Sequence, residues 1–570
     1  MRYTVLGIAG LVAAVEAQEI FHTTKGHSAR SQCTQATASP SYYFQPFSFT
    51  LNETVRYATS MPSPTTTKTY APAYTDAVKH FTSLSTTTWG SWLPGETVIS
   101  ATDHDDPYGQ AAWSSMWQAA DLQNYTTTGM YSTTVSPTPI PTSELVLPPS
   151  DYFGPNDCYN FPEDFVFGVA GSAAQIEGAI ALEGRSPSLL EKLVADSRPK
   201  DYVTNENYYF YKQDIQRLAA MGVEYYSFTI PWSRILPFVH PGTPVNQQAI
   251  DHYDDLINTI LDAGMQPVVT MLHFDSPLMF VASDNITKHP DIGYNNAGYQ
   301  NETFVDAFVN YGKVLLTHFA DRVPIWVTFN EPLLYAHVDA ANRFNEMQLG
   351  FFGNPIFRGE QYPKSILDTL PGAKPLNDSE LKYINGTSDF FGIDPYTATV
   401  VSPADEGIET CSKSTAESNL LFPYCVKQET ENIYGWNIGY RSESYVYITP
   451  TYFREYLLYL WNTFRHPVFV SEFGFPVYGE ADKDLPDQLF DSPRSVYYLS
   501  FMSEILKSIY EDGVHVMGAL AWSFVDNWEF GDYSAQFGIQ VVNRTTQQRH
   551  YKKSFFDLVD FVKTRQGNKG

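Results

Sequence analysis

Seven short apolar runs punctuate the chain beyond residue 160: FVFGVAG (165–171), VEYYSFTI (223–230), QPVVTMLH (266–273), PIWVTFNE (324–331), DFFGIDPY (389–396), PVFVSEFG (467–474) and VMGALAWSF (516–524). Amphipathic stretches separate most of them. In one, Ile215, Leu218 and Met221 share a face ahead of Gly222, a helix stop. Others are QQAIDHYDDLINTILDAG, TFVDAFVNYGKVLLTHFA, PTYFREYLLYLWNTF and RSVYYLSFMSEILKSIYEDG. This alternation is the βαβ pattern of a parallel sheet. Repeated over most of the chain, it predicts an α/β fold of the (β/α)8 TIM-barrel type. A closed barrel of this type wants eight strands, so seven runs leave one βα unit missing.

Composition narrows the function. The 570 residues are 43% apolar and 17% charged, enough for a sizeable core. The 36 Lys+Arg against 63 Asp+Glu give a net charge of −27, which a phosphate backbone would repel, so no nucleic-acid partner is expected. No apolar run reaches the roughly 20 residues of a membrane-spanning helix. Collagen, coiled coil, zinc-finger arrays and membrane transport are excluded.

The chain opens MRYTVLGIAGLVAAVEAQ, with Arg2 ahead of an apolar stretch over 5–15 and small residues before Ala17. Residues 1–17 are expected to be a secretory signal peptide. Seven Asn-x-Ser/Thr sequons, at Asn52, Asn124, Asn285, Asn301, Asn377, Asn385 and Asn543, agree with a secreted, extracellular glycoprotein. Cys33, Cys158, Cys411 and Cys425 allow three disulfide connectivities in an oxidising compartment. Cys411–Cys425, which would close a short polar loop, and Cys33–Cys158, which would tie the N-terminal region to the next domain, are favoured. Residues 18–157 are rich in Ser, Thr, Pro and Tyr, without helical or strand periodicity, and are expected to be largely irregular. Trp89, Trp92, Trp113 and Trp117 are unusual in such a segment and suggest a strap lying on the barrel of residues 158–565, with a stalk as the alternative.

The polar residues that end the apolar runs are His273, Asn330, Glu331, Tyr396, Glu472 and Trp522. In a barrel these positions converge on the rim where active sites form. A lone carboxylate there is more often structural, but Glu331 in WVTFNEP and Glu472 in VFVSEFG make a pair. Two facing carboxyl groups are what glycoside hydrolysis needs, one to protonate the leaving oxygen and one to attack the anomeric carbon or activate water.

From residue 161 to 562 the chain resembles glycoside hydrolase family 1, the β-glucosidase family. FPEDFVFGVAGSAAQIEGA, YYFYKQDIQRLAAMGVEYYSFTIPWSRILP, LHFDSP, TFNEP, DFFGIDPYT, VSEFGF and WSFVDNWEFGDYSAQFGI occur in the family's order. The resemblance implies retaining hydrolysis of terminal β-D-glucosyl residues, with Glu331 as acid and then base and Glu472 as nucleophile. Their carboxyl groups would then lie roughly 5–5.5 Å apart. Arg234 matches an arginine beside the nucleophile. Gln175, His273, Asn330, Tyr396, Trp522 and Glu529 match sugar-contacting positions, and Phe274 and Phe530 stand where the family usually has Trp. Asp394 replaces the usual Asn, and SEFG the common TENG, which implies an altered sugar subsite. Between Glu331 and Tyr396 the family carries roughly twice as much chain, so the resemblance implies loss of the fourth helix and fifth strand.

The retained Glu331 argues against a thioglucosidase, and FGDYS after Glu529 lacks the lysine that phospho-sugar enzymes use. Neither cofactor nor metal is implied. The partner expected is a β-linked glucoside or oligosaccharide. The alternative is a catalytically weak or inactive homologue that binds carbohydrate or serves at the cell surface.

Overall fold

The computed structural model describes residues 89–93, 106–127, 129–130, 134–141, 144, 159–194, 196–280, 302–331, 344–370, 372–415, 418–431 and 435–566. The leader expected at 1–17, Cys33, Cys158, Asn52, Asn285, Asn301 and most of 18–157 lie outside the described residues.

All seven apolar runs form strands: β1 (Val166–Ala170), β2 (Tyr225–Thr229), β3 (Gln266–Thr270), β4 (Ile325–Val327), β5 (Phe391–Ile393), β6 (Val468–Phe473) and β7 (Val516–Trp522). They pair in parallel in the order β4-β3-β2-β1-β7-β6-β5. Among the described residues this is a TIM-type barrel of seven strands, and its opening falls between β4 and β5. The physical signature sits on those two edges. Both are three residues long, and none of β4 is fully buried, whereas every residue of β1 is. A strand without a second neighbour keeps backbone polar groups open on one side and gains little by extending.

The longer helices are α1 (Gln110–Ala120), α2 (Asn207–Met221), α3 (Gln247–Asp262), α4 (Glu302–Phe319), α5 (Pro450–Phe464), α6 (Ser492–Tyr510) and α7 (Lys553–Arg565). Helices α2 to α6 arise from the amphipathic stretches, whereas α1 corrects the expectation of an irregular segment over 18–157: its buried Trp113 and Trp117, four positions apart, share one face. In α3, Ile250, Tyr253, Ile257 and Ile260 recur at helical spacing and are buried against the sheet. α2 stops at Gly222, which adopts φ 78°. Gly222 N–H bonds to Ala219 O and Val223 N–H to Leu218 O, the paired closure that only a left-handed residue permits. Between the barrel edges, where the family's fourth helix was expected to be absent, the chain runs through short helical turns. These bring Phe357 onto Phe391 of β5, with ring centroids 5.1 Å apart.

Two features brace the rim. Arg494 of α6 is fully buried; it bonds Phe475 O after β6 (2.8 Å) and Gln536 O after β7 (2.6 Å), while ion-pairing Glu480 and Asp491. One guanidinium thus locks two rim loops together. The four tryptophans supply the second brace. Trp89, Trp92, Trp113 and Trp117 are buried with Ile180, Ala181, Tyr202 and Leu278, residues of the loops beyond β1 and β3. Trp113 and Trp117 both donate their indole N–H to Arg185 O, at 2.9 and 2.8 Å.

Cys411 and Cys425 are joined, across a separation of 14, between the strands of an antiparallel hairpin (Val400–Pro403 and Val426–Glu429). Replacing both by serine is expected to cost about 3 kcal/mol through the freed loop. The check is the thermal midpoint of oxidised wild type against Cys411→Ser/Cys425→Ser; equal midpoints would show that the hairpin holds without the bond.

Candidate active site

The strand ends bring the predicted polar residues to one mouth. Glu472 lies within β6 and Tyr396 just beyond β5; the Tyr396 hydroxyl donates to Glu472 Oε2 at 2.6 Å. Two positions on, Gly474 follows the end of β6 because a Cβ there would stand 1.9 Å from Trp522 O of the neighbouring strand. Asn330 and Glu331 end the β4 run. Donor–acceptor matching turns the Asn330 carboxamide so that its oxygen accepts from His273 Nε2 (3.3 Å). Its nitrogen then donates to Asp394 Oδ2 (3.1 Å) and Glu472 Oε1 (3.2 Å). Glu331, Phe274 and Phe530 have φ of 42°, 63° and 43°. Such left-handed backbone is strained for these residues.

A second group sits opposite. Glu529 Oε1 accepts from Gln175 Nε2 (3.2 Å) and from the Trp522 indole (3.3 Å). Trp522 stacks on His273, with centroids 5.6 Å apart and planes 13° from parallel. Phe274 meets Phe530 edge-on at 5.6 Å, so an aromatic wall survives without indole donors.

Four carboxyl groups crowd this pocket. Burial pushes Glu331 up to about 8, helped by Asp394 and Glu529. Burial also raises Glu472 well above the usual range, with Asp394, Glu331 and Glu529 adding to the shift while the Tyr396 hydrogen bond opposes it. Glu529 is pushed up to about 8 by burial and Asp394 to about 7 by the same cause. Burial lowers His273 to about 3, so its ring is neutral at ordinary pH and its 3.8 Å approach to Glu472 is not an ion pair. The arrangement can hold one carboxyl protonated as an acid beside another that two donors, Tyr396 and Asn330, stabilise as an anion.

Arg234 is the correction. It was expected beside the nucleophile, but its guanidinium pairs with Glu177 at 3.3 Å, donates to the carbonyls of Leu182 and Ala179, and lies over the Tyr208 ring. The chain turns through residues 232–235 as a short helix, which carries the side chain towards the loop beyond β1 instead. The groups acting most strongly on Glu472 are carboxylates.

Tyr445 was missed by sequence reasoning. It precedes the second strand of the Tyr440–Arg441/Tyr447–Ile448 hairpin, and its ring meets that of Tyr396 at 6.2 Å. Its side chain is exposed at the rim, and the charges of Glu331, Glu529 and Glu472 all act on its phenol, which marks its nearness to all three. A single tyrosine in a polar loop carries no sequence signal of that position. Among the described residues, no group of three or more His, Cys, Asp or Glu is arranged to hold a metal ion. No helix among them is long and apolar enough to cross a membrane.

A family profile described as glycosyl hydrolase family 1 matches residues 158–339 and 335–567. The two matches overlap at 335–339, a few positions past Glu331. β-Glucosidase 42 of Arabidopsis thaliana is 30% identical, over 72% of this chain and 96% of its own. β-Glucosidase 2 of Trichoderma reesei, crystallised with Tris, superposes with a TM-score of 0.63 at 25% identity, over 71% of this chain and 99% of its own. A rice β-glucosidase mutant, solved in a covalent complex with Glc, gives a TM-score of 0.62 at 26% identity, over 70% of this chain and 99% of its own.

Proposed function

The chain belongs to glycosyl hydrolase family 1, and from that premise we propose the residue roles by which it acts as a retaining β-glucosidase. Glu472 attacks the anomeric carbon of a terminal β-D-glucosyl unit as Glu331 delivers its proton to the glycosidic oxygen, and the aglycone leaves as the alcohol. Glu331, now ionised, takes a proton from water; the oxygen attacks the glycosyl ester, Glu472 departs, and the sugar is released with its β configuration restored. Gln175 and Glu529 would bind outer hydroxyls of the sugar, His273 and Asn330 inner ones, and Trp522, Phe274 and Phe530 would supply apolar faces. The reading rests chiefly on one contact: Glu472, at the end of its strand, receives hydrogen bonds from Tyr396 and Asn330 that favour its anion against the burial that raises it and Glu331 alike. The rice relative's covalent complex with Glc supports a glycosyl–enzyme intermediate. A sugar-binding homologue without turnover is not favoured, because the relatives are β-glucosidases.

Action outside the cell is part of the proposal. The leader-like residues 1–17 support it, as do the four described sequons, Asn124, Asn377, Asn385 and Asn543, which are all exposed. The test of the reaction is proton NMR of 4-nitrophenyl β-D-glucoside hydrolysis. β-Glucose is expected first, mutarotating later. α-Glucose first, or no turnover of any β-glucoside, would remove the reading.

A further inference from the structure

Asp394, one residue beyond β5, stands where the family usually has asparagine. The exchange of an amide for an acid puts a third carboxyl group beside the two that carry the reaction. Asp394 Oδ2 and Glu472 Oε1 share a single donor, Asn330 Nδ2, at 3.1 and 3.2 Å. Asp394 Oδ1 is buried, and the Ser471 hydroxyl and the Glu472 backbone N–H act on the same carboxyl group. Glu472 faces Asp394 from β6, Glu331 from the end of β4, Tyr396 from its own loop and Tyr456 from α5. Glu529 and His273 stand beyond, through Glu472 and Asn330.

We propose that Asp394 is a positioning residue that, through the shared Asn330 amide, holds the nucleophile and competes with it for one proton, so that the pH window of hydrolysis is set higher than a neutral residue would set it. The inference rests on Glu472 as nucleophile and Glu331 as acid. Glu472 must be ionised to attack, and a negative Asp394 disfavours that ionisation, so the acid limb of the rate profile moves up. Glu331 must be protonated to donate, and the same charge favours its proton, so the base limb moves up too. The shifts agree in sign: burial and then Asp394 raise both Glu331 and Glu472. Such a pair titrates jointly, so the limbs report the cluster and not single groups.

The test compares kcat/KM against pH for wild type and Asp394→Asn on 4-nitrophenyl β-D-glucoside, with Glu472→Ala as control. Both limbs of Asp394→Asn are expected to move to lower pH, by about one unit, as for removal of a neighbouring charge. Limbs that stay in position while the rate changes would reduce Asp394 to a structural residue and overturn the proposal. Full activity in Glu472→Ala would instead bring down the assignment of the nucleophile on which it rests. A readout without turnover is the carbon-13 carboxyl titration of both proteins. A Glu472 midpoint that falls in Asp394→Asn supports the coupling, and an unchanged midpoint overturns it even if the enzyme is slow.

Discussion

Glu472→Ala is expected to lower kcat on aryl β-glucosides by on the order of 10⁴-fold or more, as loss of a covalent nucleophile does elsewhere. The substitution removes the only group proposed to bond to carbon, and no neighbour can replace it: Tyr396, which donates to it, stays a neutral phenol because burial and nearby carboxylates raise it well above its usual range. The same change is expected to preserve or raise stability, and that separates lost chemistry from lost fold. A buried acid whose folded pKa is raised binds its proton more tightly in the native state than in the unfolded one. Its unfavourable contribution therefore grows as pH rises from the unfolded value towards the folded one. Deleting Glu472 removes that contribution and one of four crowded carboxyl groups. Thermal midpoints taken at pH 5 and pH 7 should show Glu472→Ala gaining on wild type at the higher pH. A midpoint well below wild type at both would mean that the residue holds the fold, and the activity loss would then say nothing of its role.

The strands were legible because each apolar run is short, dense and bounded by polar residues, a pattern that survives with no knowledge of partners. The count of seven was legible too, and seven strands pair among the described residues. The shortness of β4 and β5 was not, because it reflects which neighbours a strand finds in the sheet. The carboxylate pair could be read from strand ends, but the direction of Arg234 could not. The PWSRI segment states that a buried arginine exists; whether Glu177 or Glu472 receives it depends on a helical turn and a loop from another unit. Asp394 was visible as an exchange of amide for acid, while the amide it shares with Glu472 belongs to Asn330, 64 positions earlier. Local pattern thus reveals which groups reach the rim, and long-range packing decides which of them touch.

Glu331→Gln should separate the two halves of the reaction. Glutamine keeps the shape of the side chain but has no proton to give and no charge to accept one. With a poor leaving group, such as a second sugar, departure needs that proton, and loss of general acid catalysis is expected to lower kcat/KM about 10²–10⁴-fold. With a dinitrophenyl glucoside the departing oxygen is already a stable anion, so formation of the glycosyl ester should scarcely change. Its hydrolysis still needs the base, so the ester should accumulate and appear as a burst of one equivalent of phenol followed by slow turnover. The pH profile gives a second check. In wild type the carboxyl cluster titrates jointly, and the base limb needs the Glu331 proton, so glutamine should abolish that limb; losing the Glu331 charge, which raises Glu472, should also move the acid limb to lower pH. Equal losses on both substrates with the base limb intact would assign the acid to another residue. Glu529, also buried and pushed up to about 8, would be the next to test, though its two donors, Gln175 and Trp522, suit it better to hold hydroxyl groups than to release a proton.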